Sequence, residues 1–110
     1  MEILTYSTAH HEFRARLRSF LAAEITPFAA KWERAHIVPR EIWRKMGRAG
    51  FLCMDLPPEY GGAGGDFLHS LILTEEMSHT GITGVAAALH SDIVVPYIAS
   101  YGSDAQKRRY

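Results

Sequence analysis

Pro57-Pro58-Glu59-Tyr60-Gly61-Gly62-Ala63-Gly64-Gly65-Asp66 decides how the rest of the chain is organised. Prolines lack an N–H and glycines weaken regular elements, so residues 55–66 form neither helix nor strand and make the longest loop. The loop ends on Asp66, a side chain suited to capping a helix that carries Phe67, Leu68, Leu71, Ile72 and Glu75. Before the loop, residues 51–56 leave room for one brief extended piece. Further upstream, Pro39 stands where a first helical residue tolerates a missing N–H. Ile42, Trp43 and Met46 then follow on one face, and Gly50 stops that helix.

Towards the start, Thr8 is the expected cap of a first helix. Phe13, Leu17, Phe20 and Leu21 recur at the spacing of one helical face, leaving Arg14, Arg16 and Arg18 for the remaining surface. Pro27 ends or kinks this helix near Ile25, and residues 28–34 continue it briefly with Trp32. Beyond the loop, Gly81 and Gly84 punctuate the chain before residues 85–91, which are apolar nearly all round, the pattern of a helix buried on most sides. Pro96 falls inside the next apolar stretch, 93–99, and Gly102 closes it. Ser103-Asp104-Ala105-Gln106 reads as a capping box for a helix with room for only about one turn before Tyr110, which suggests that the natural protein continues. No segment alternates as strands do. The expected fold is all-α, an up-and-down-like bundle of five or six helices with one long Pro/Gly-rich loop.

Composition narrows the functional classes. A chain of 110 residues makes one domain, and its 47% hydrophobic and 22% charged residues are ordinary for a globular protein. Lys plus Arg equals Asp plus Glu, 12 against 12, so no field of one sign attracts nucleic acid or an anionic membrane. Lys107, Arg108 and Arg109 read as a solvated helix end. Cys53 is the only cysteine, which excludes an internal disulfide and any multi-cysteine zinc site. Met1-Glu2-Ile3-Leu4-Thr5 lacks the pattern of a signal peptide, and no apolar run approaches the roughly 20 residues that span a bilayer. A soluble, cytoplasmic protein is expected.

The residues alone specify no active site. The glycine cluster has neither Gly-Lys-Ser/Thr nor G-x-G-x-x-G spacing, so a tight turn is the reading rather than a phosphate loop. Histidines 10, 11, 36, 69, 79 and 90 show no i, i+4 pair and no H-E-x-x-H, so no metal site is expected; His10 and His11 point to different sides of their helix. Glu75 and Glu76 diverge by about 100° on a helix and cannot act together as acid and base. His90-Ser91-Asp92 resembles a triad only in composition, because sequence neighbours do not provide triad geometry. The four methionines read as core filler.

Taken in order, these pieces resemble one family. The stretch from Arg14 to Phe20 with Glu24-Ile25-Thr26-Pro27 and Trp32-Glu33, then Pro39-Arg40-Glu41-Ile42-Trp43 with Gly47, Gly50 and Phe51-Leu52, is similar to the opening helices of acyl-CoA dehydrogenases. The 57–66 loop is the most specific match. His90-Ser91 with Ile93, and Tyr101-Gly102-Ser103 with Gln106-Lys107-Arg108-Arg109-Tyr110, complete a resemblance that covers essentially the whole chain, with long-chain-type bacterial members especially alike at Gly64-Gly65-Asp66 and His90-Ser91. The resemblance implies residues 1–110 as the N-terminal helical domain of a three-domain flavoenzyme, ahead of a middle β domain and a C-terminal helical domain. It implies FAD held mainly by those two domains, a base from the C-terminal helices, and α,β-desaturation of acyl-CoA. Electron-transferring flavoprotein is the implied acceptor and a homo-oligomer the implied assembly. By position in the match, Ala87, His90 and Val94 are expected to bind substrate by lining the deep end of the acyl pocket. Some long-chain members have Pro-Gly where Val85-Ala86 stands here, so their broad substrate range does not carry over. Two alternatives compete: an acyl-CoA oxidase or flavin monooxygenase of the same architecture, and a free-standing helical interaction module.

Overall fold

A computed structural model describes residues 3–110; Met1 and Glu2, part of the stretch read for a leader, lie outside the described residues. Among the described residues the chain is all-α, with helices α1 (Thr8–Phe20), α2 (Ala29–Ala35), α3 (Arg40–Arg48), α4 (Phe67–Thr80), α5 (Val95–Tyr101) and α6 (Asp104–Arg109). Ser7 rather than Thr8 caps α1. The Ser7 hydroxyl accepts the His10 N–H, and the His10 ring returns the bond by accepting the Ser7 N–H at 3.0 Å, a role glutamate usually fills. Asp66 and Ser103 cap α4 and α6 as expected. Pro39 is the cap of α3, one residue earlier than expected, and residues 51–56 make bends and turns instead of an extended piece.

Both interior prolines are absorbed in the same way. A proline ring collides with the carbonyl four residues back. Ahead of Pro27 the helix widens into a π-helical turn, Leu21–Ile25, where the Thr26 N–H donates to the carbonyl of Leu21. A second such turn, Leu89–Val94, precedes Pro96, with the Val95 N–H donating to the carbonyl of His90. The i→i+5 bond moves the obstructing carbonyl aside. The chain therefore stays helical from residue 87 to residue 101, and from α1 through a 3-10 turn, Thr26–Phe28, into α2.

The core lies between α1 and α4. Phe13, Leu17, Leu21 and Ile25 from the first long helix meet Ile72, Leu73 and Met77 of α4, with Trp32, Ile42, Met46, Phe51 and Met54 closing the sides. Burying each of these side chains stabilises the fold by about 1.5–3 kcal/mol before entropy is counted. Of the methionines, Met46, Met54 and Met77 are core filler as expected, and Met1 lies outside the described residues. α1 and α4 run parallel, because His10 meets Asp66 while Arg14 and Arg18 meet Glu76.

The domain is a slab of 40 × 39 × 21 Å, about two helix diameters thick. A slab this thin leaves one side of many helices open. Residues 85–91 are accordingly less enclosed than their composition predicts: Val85, Ala87 and Ser91 are buried, whereas Ala86 and Leu89 are exposed. Phe67, the first residue of α4, is exposed as well.

Candidate functional site

Three arrangements on this scaffold have chemical potential, and the glycine loop is the first. Its N–H groups are consumed locally: Gly61 donates to Pro58, Gly62 to Pro57, Ala63 to Cys53, Gly64 to Leu56 and Gly65 to Met54 at 2.6 Å. An anion at this loop would find no convergent amides. Gly62 is required because a Cβ there would lie 2.1 Å from the carbonyl oxygen of Leu56. Gly61 and Gly64 have φ of +86° and +68°, which an L side chain rarely adopts.

The second arrangement joins the N-termini of α1 and α4. Asp66 caps α4 through the N–H groups of Leu68 and His69, and its carboxylate also accepts from His10 Nε2 at 2.9 Å. His69 Nδ1 lies 2.9 Å from the same carboxylate. The hydrogen bond from His10 is the largest influence holding the Asp66 carboxyl down to about 2. The charge sits at the N-terminus of α4, a favourable placement for that helix dipole. The ligand atoms of His10, Asp66 and His69 lie within 4.8 Å of one another, a spacing that sequence distance had hidden. Their protons oppose a metal reading. His10 Nδ1 accepts the Ser7 N–H, so the ring hydrogen sits on Nε2, the atom a metal would need bare. The set is a hydrogen-bonded clasp.

In the third arrangement, Arg14 forks between Glu75 and Glu76 at 2.7 and 2.6 Å, and Arg18 donates to the other oxygen of Glu76 at 2.7 Å. Arg14 is therefore half-buried, not a purely surface residue as its place outside the apolar face suggested. Glu76 is buried. Burial alone would raise its carboxyl, but the hydrogen bonds from Arg18 and Arg14 outweigh this and keep it below the usual range. The network fastens α1 to α4 and leaves Glu76 no free oxygen with which to take a proton from a substrate.

The sequence-predicted wall residues sit on one helix in different environments. Ala87 is 1% exposed and edges a cleft of about 390 Å³ with Leu73, Thr74, Met77 and Ile82. His90 is half-buried against Trp43, ring centroids 5.7 Å apart, and Val94 is exposed. The triad suggested by composition does not assemble for catalysis. Ser91 Oγ is 3.2 Å from His90 Nδ1, but the serine is sealed from solvent and already accepts the Cys53 N–H at 2.9 Å. Burial also pushes the Cys53 thiol up, against a smaller opposing effect of Ser91, so the cysteine is a poor nucleophile. What the helix does offer is an open apolar face: Leu89, Ile93, Val94, Tyr97 and Tyr101 are all exposed. No helix of the described residues is long and apolar enough to cross a membrane.

Comparison with known proteins agrees with this architecture. The family model for the acyl-CoA dehydrogenase N-terminal domain matches residues 7–110. The chain is 42% identical over 105 residues to the mitochondrial long-chain specific acyl-CoA dehydrogenase of Sus scrofa, covering 96% of this chain and 24% of that protein. It is 37% identical over 98 residues to a short-chain specific acyl-CoA dehydrogenase of Clostridium acetobutylicum, covering 88% of this chain and 26% of that protein. The crystal structure of an acyl-CoA dehydrogenase from Geobacillus kaustophilus superposes with a TM-score of 0.89 at 45% identity, over 96% of this chain and 28% of that one. This chain thus spans about a quarter of the length of the relatives it matches. With a family model matched over residues 7–110 and a closely superposing backbone, the chain belongs to the acyl-CoA dehydrogenase family and corresponds to its N-terminal domain.

Proposed function

We propose that these residues serve as the N-terminal helical domain of an FAD-dependent enzyme of fatty acid metabolism that introduces an α,β double bond into acyl-CoA thioesters. In this reading, residues 87–101 form part of the wall of the acyl pocket and of the packing against sister domains. The observation that carries it is the open apolar face on that helix, where Leu89, Ile93, Val94, Tyr97 and Tyr101 stay exposed while His90 is its only histidine and Asp92 its only carboxylate. Such a face suits contact with hydrocarbon.

Ala87, His90 and Val94 are the substrate-facing residues of the proposal, Ala87 from the cleft beside α4 and the other two from the outer surface. The glycine loop does not fit the phosphates of FAD, its amides being bonded to its own carbonyls. The flavin is assigned to other segments of the enzyme, as is the base. Electron-transferring flavoprotein is the proposed acceptor, a homo-oligomer the proposed assembly and the cytoplasm the proposed setting; the family resemblance supports the first two. The test is to produce the chain joined to the middle and C-terminal domains, then assay acyl-CoA oxidation with an artificial acceptor and with oxygen. Turnover with the artificial acceptor is expected. Turnover with oxygen alone would move the protein to the oxidases. A 110-residue chain that purified yellow with stoichiometric flavin would overturn the assignment of FAD to other segments.

A further inference from the structure

Ser91 is fully buried in a helix whose outer face is apolar, and a hydroxyl there needs a reason. A serine hydroxyl has one proton to give and two positions that accept. One accepting position is filled by the Cys53 N–H at 2.9 Å. That N–H is rigidly aimed: Cys53 has φ of 53°, and its carbonyl receives the amides of Leu56 and Ala63 from the loop. Burial keeps the Cys53 thiol protonated, so no thiolate competes for the serine proton. The serine proton is within reach of His90 Nδ1, 3.2 Å from the hydroxyl oxygen, and a hydroxyl that donates there makes Nδ1 the acceptor. A neutral imidazole that accepts at Nδ1 carries its hydrogen on Nε2. Trp43 packs on the His90 ring and restricts its plane. His90 Nε2 has no hydrogen-bond partner among the described residues, and it is not one of the buried unpartnered atoms, so it is reachable from outside.

We propose that Ser91 is a positioning residue that holds His90 in the Nε2–H tautomer, giving an otherwise apolar wall a single hydrogen-bond donor that suits an acyl group bearing an oxygen acceptor. This rests on the reading of residues 87–101 as an acyl-pocket wall. Beside Leu89, Ile93 and Val94, an N–H facing plain hydrocarbon is left unpaired, while a hydroxyl, keto or ether oxygen at that depth satisfies it.

The tautomer is tested on the 15N-labelled chain across a pH series, read at the alkaline end where the ring signals no longer change. Long-range proton–nitrogen correlations of the ring should show His90 with a bare Nδ1 and one dominant tautomer. Ser91→Ala should give a tautomer mixture with the remaining amide spectrum retained, and Ser91→Thr, which keeps the hydroxyl, should restore the single form. A wild-type His90 protonated on Nδ1 overturns the proposal by itself, even if Ser91→Ala does not fold. An unchanged tautomer in a folded Ser91→Ala also overturns it. The donor is tested in the chain joined to its sister domains, by comparing kcat/KM for oxygen-bearing and unsubstituted acyl-CoA of equal length. A preference for the oxygenated chain that falls about tenfold in both Ser91→Ala and His90→Phe is expected. No preference in the wild type overturns the donor role. An enzyme that oxidises no acyl-CoA overturns the wall reading instead, while the tautomer measurement, which needs no turnover, still decides whether Ser91 sets His90.

Discussion

Arg14 reaches 62 residues along the chain to place its Nη1 2.6 Å from Oε1 of Glu76, and the second Glu76 oxygen is taken by Arg18. One buried carboxylate thereby secures two turns of α1 against α4. Glu76→Gln keeps the shape of the side chain and removes its charge. It should lower the unfolding free energy by about 2 kcal/mol, seen as a lower urea midpoint at unchanged slope. Glu75→Gln, at a largely exposed partner, should cost under about 1 kcal/mol. Equal losses for the two would show that burial of Glu76 does not set the value of the network.

Acid should loosen the clasp at Asp66 in a definite window. The folded carboxyl, at about 2, lies below its ordinary 3.8. The stability it contributes is therefore complete above about pH 3.8 and is lost as the pH falls towards 2. Asp66→Asn can still accept the α4 N–H groups but has no proton to gain. A pH series followed by circular dichroism should show a shallower loss of structure between pH 4 and 2 in this variant. An identical acid profile would mean the clasp does not stabilise the fold.

Gly61 and Gly62 are neighbours whose replacement should differ in kind. Gly61→Ala meets open space but must hold φ of +86°, a loss of about 1 kcal/mol. Gly62→Ala drives its Cβ into the carbonyl of Leu56, so the loop must open, at about 2–3 kcal/mol or more. Thermal melts of both variants decide the matter. A Gly62→Ala protein as stable as Gly61→Ala would refute the close approach.

These features differ in how far the sequence discloses them. Asp66 and Ser103 announce their helices because capping is local chemistry, with acceptor and N–H groups within three residues. Ser7 competes with Thr8 for the same role, and histidine at the third helical position gave no familiar capping-box signal. Pro27 and Pro96 mark where a helix is in difficulty, but not whether it breaks or widens. The clasp and the Glu76 network join residues 56 to 62 apart, beyond any periodicity. Composition also shows that residues 85–101 are apolar without showing which sides are covered. Ser91 gives no signal, since its partner at Cys53 is supplied by the loop.

Ala87 and Val94 approach the proposed pocket from different environments, one buried and one exposed. Ala87→Phe, at a 1% exposed position, should overfill the core and destabilise the chain by about 1–3 kcal/mol. Val94→Phe, on the open face, should leave the melting temperature unchanged. In the joined enzyme it should shorten the longest acyl chain accepted, shifting selectivity roughly 10–200-fold per lost methylene contact. An unaltered chain-length profile in a stable Val94→Phe enzyme would remove Val94 from the pocket wall.

The open face should also make the 110-residue chain associate with itself. Leu89, Ile93, Val94, Tyr97 and Tyr101 are each exposed by about half or more, and burial of apolar surface is worth about 25 cal/mol per Å². Light scattering across a concentration series should report growth in mass that Ile93→Asp or Val94→Asp suppresses. A monomer at millimolar concentration would contradict this.

The parallel pairing of α1 with α4 has a consequence for the nascent chain. The apolar stripe of Phe13, Leu17 and Leu21 has its partner, Ile72 to Met77, some 55–60 residues downstream. At about 5–20 residues per second, the ribosome leaves that stripe without its cover for roughly 3–12 seconds. α2 and α3 emerge first, yet neither supplies a face equivalent to α4. The first helix of this domain thus cannot complete its core contacts until α4 has emerged.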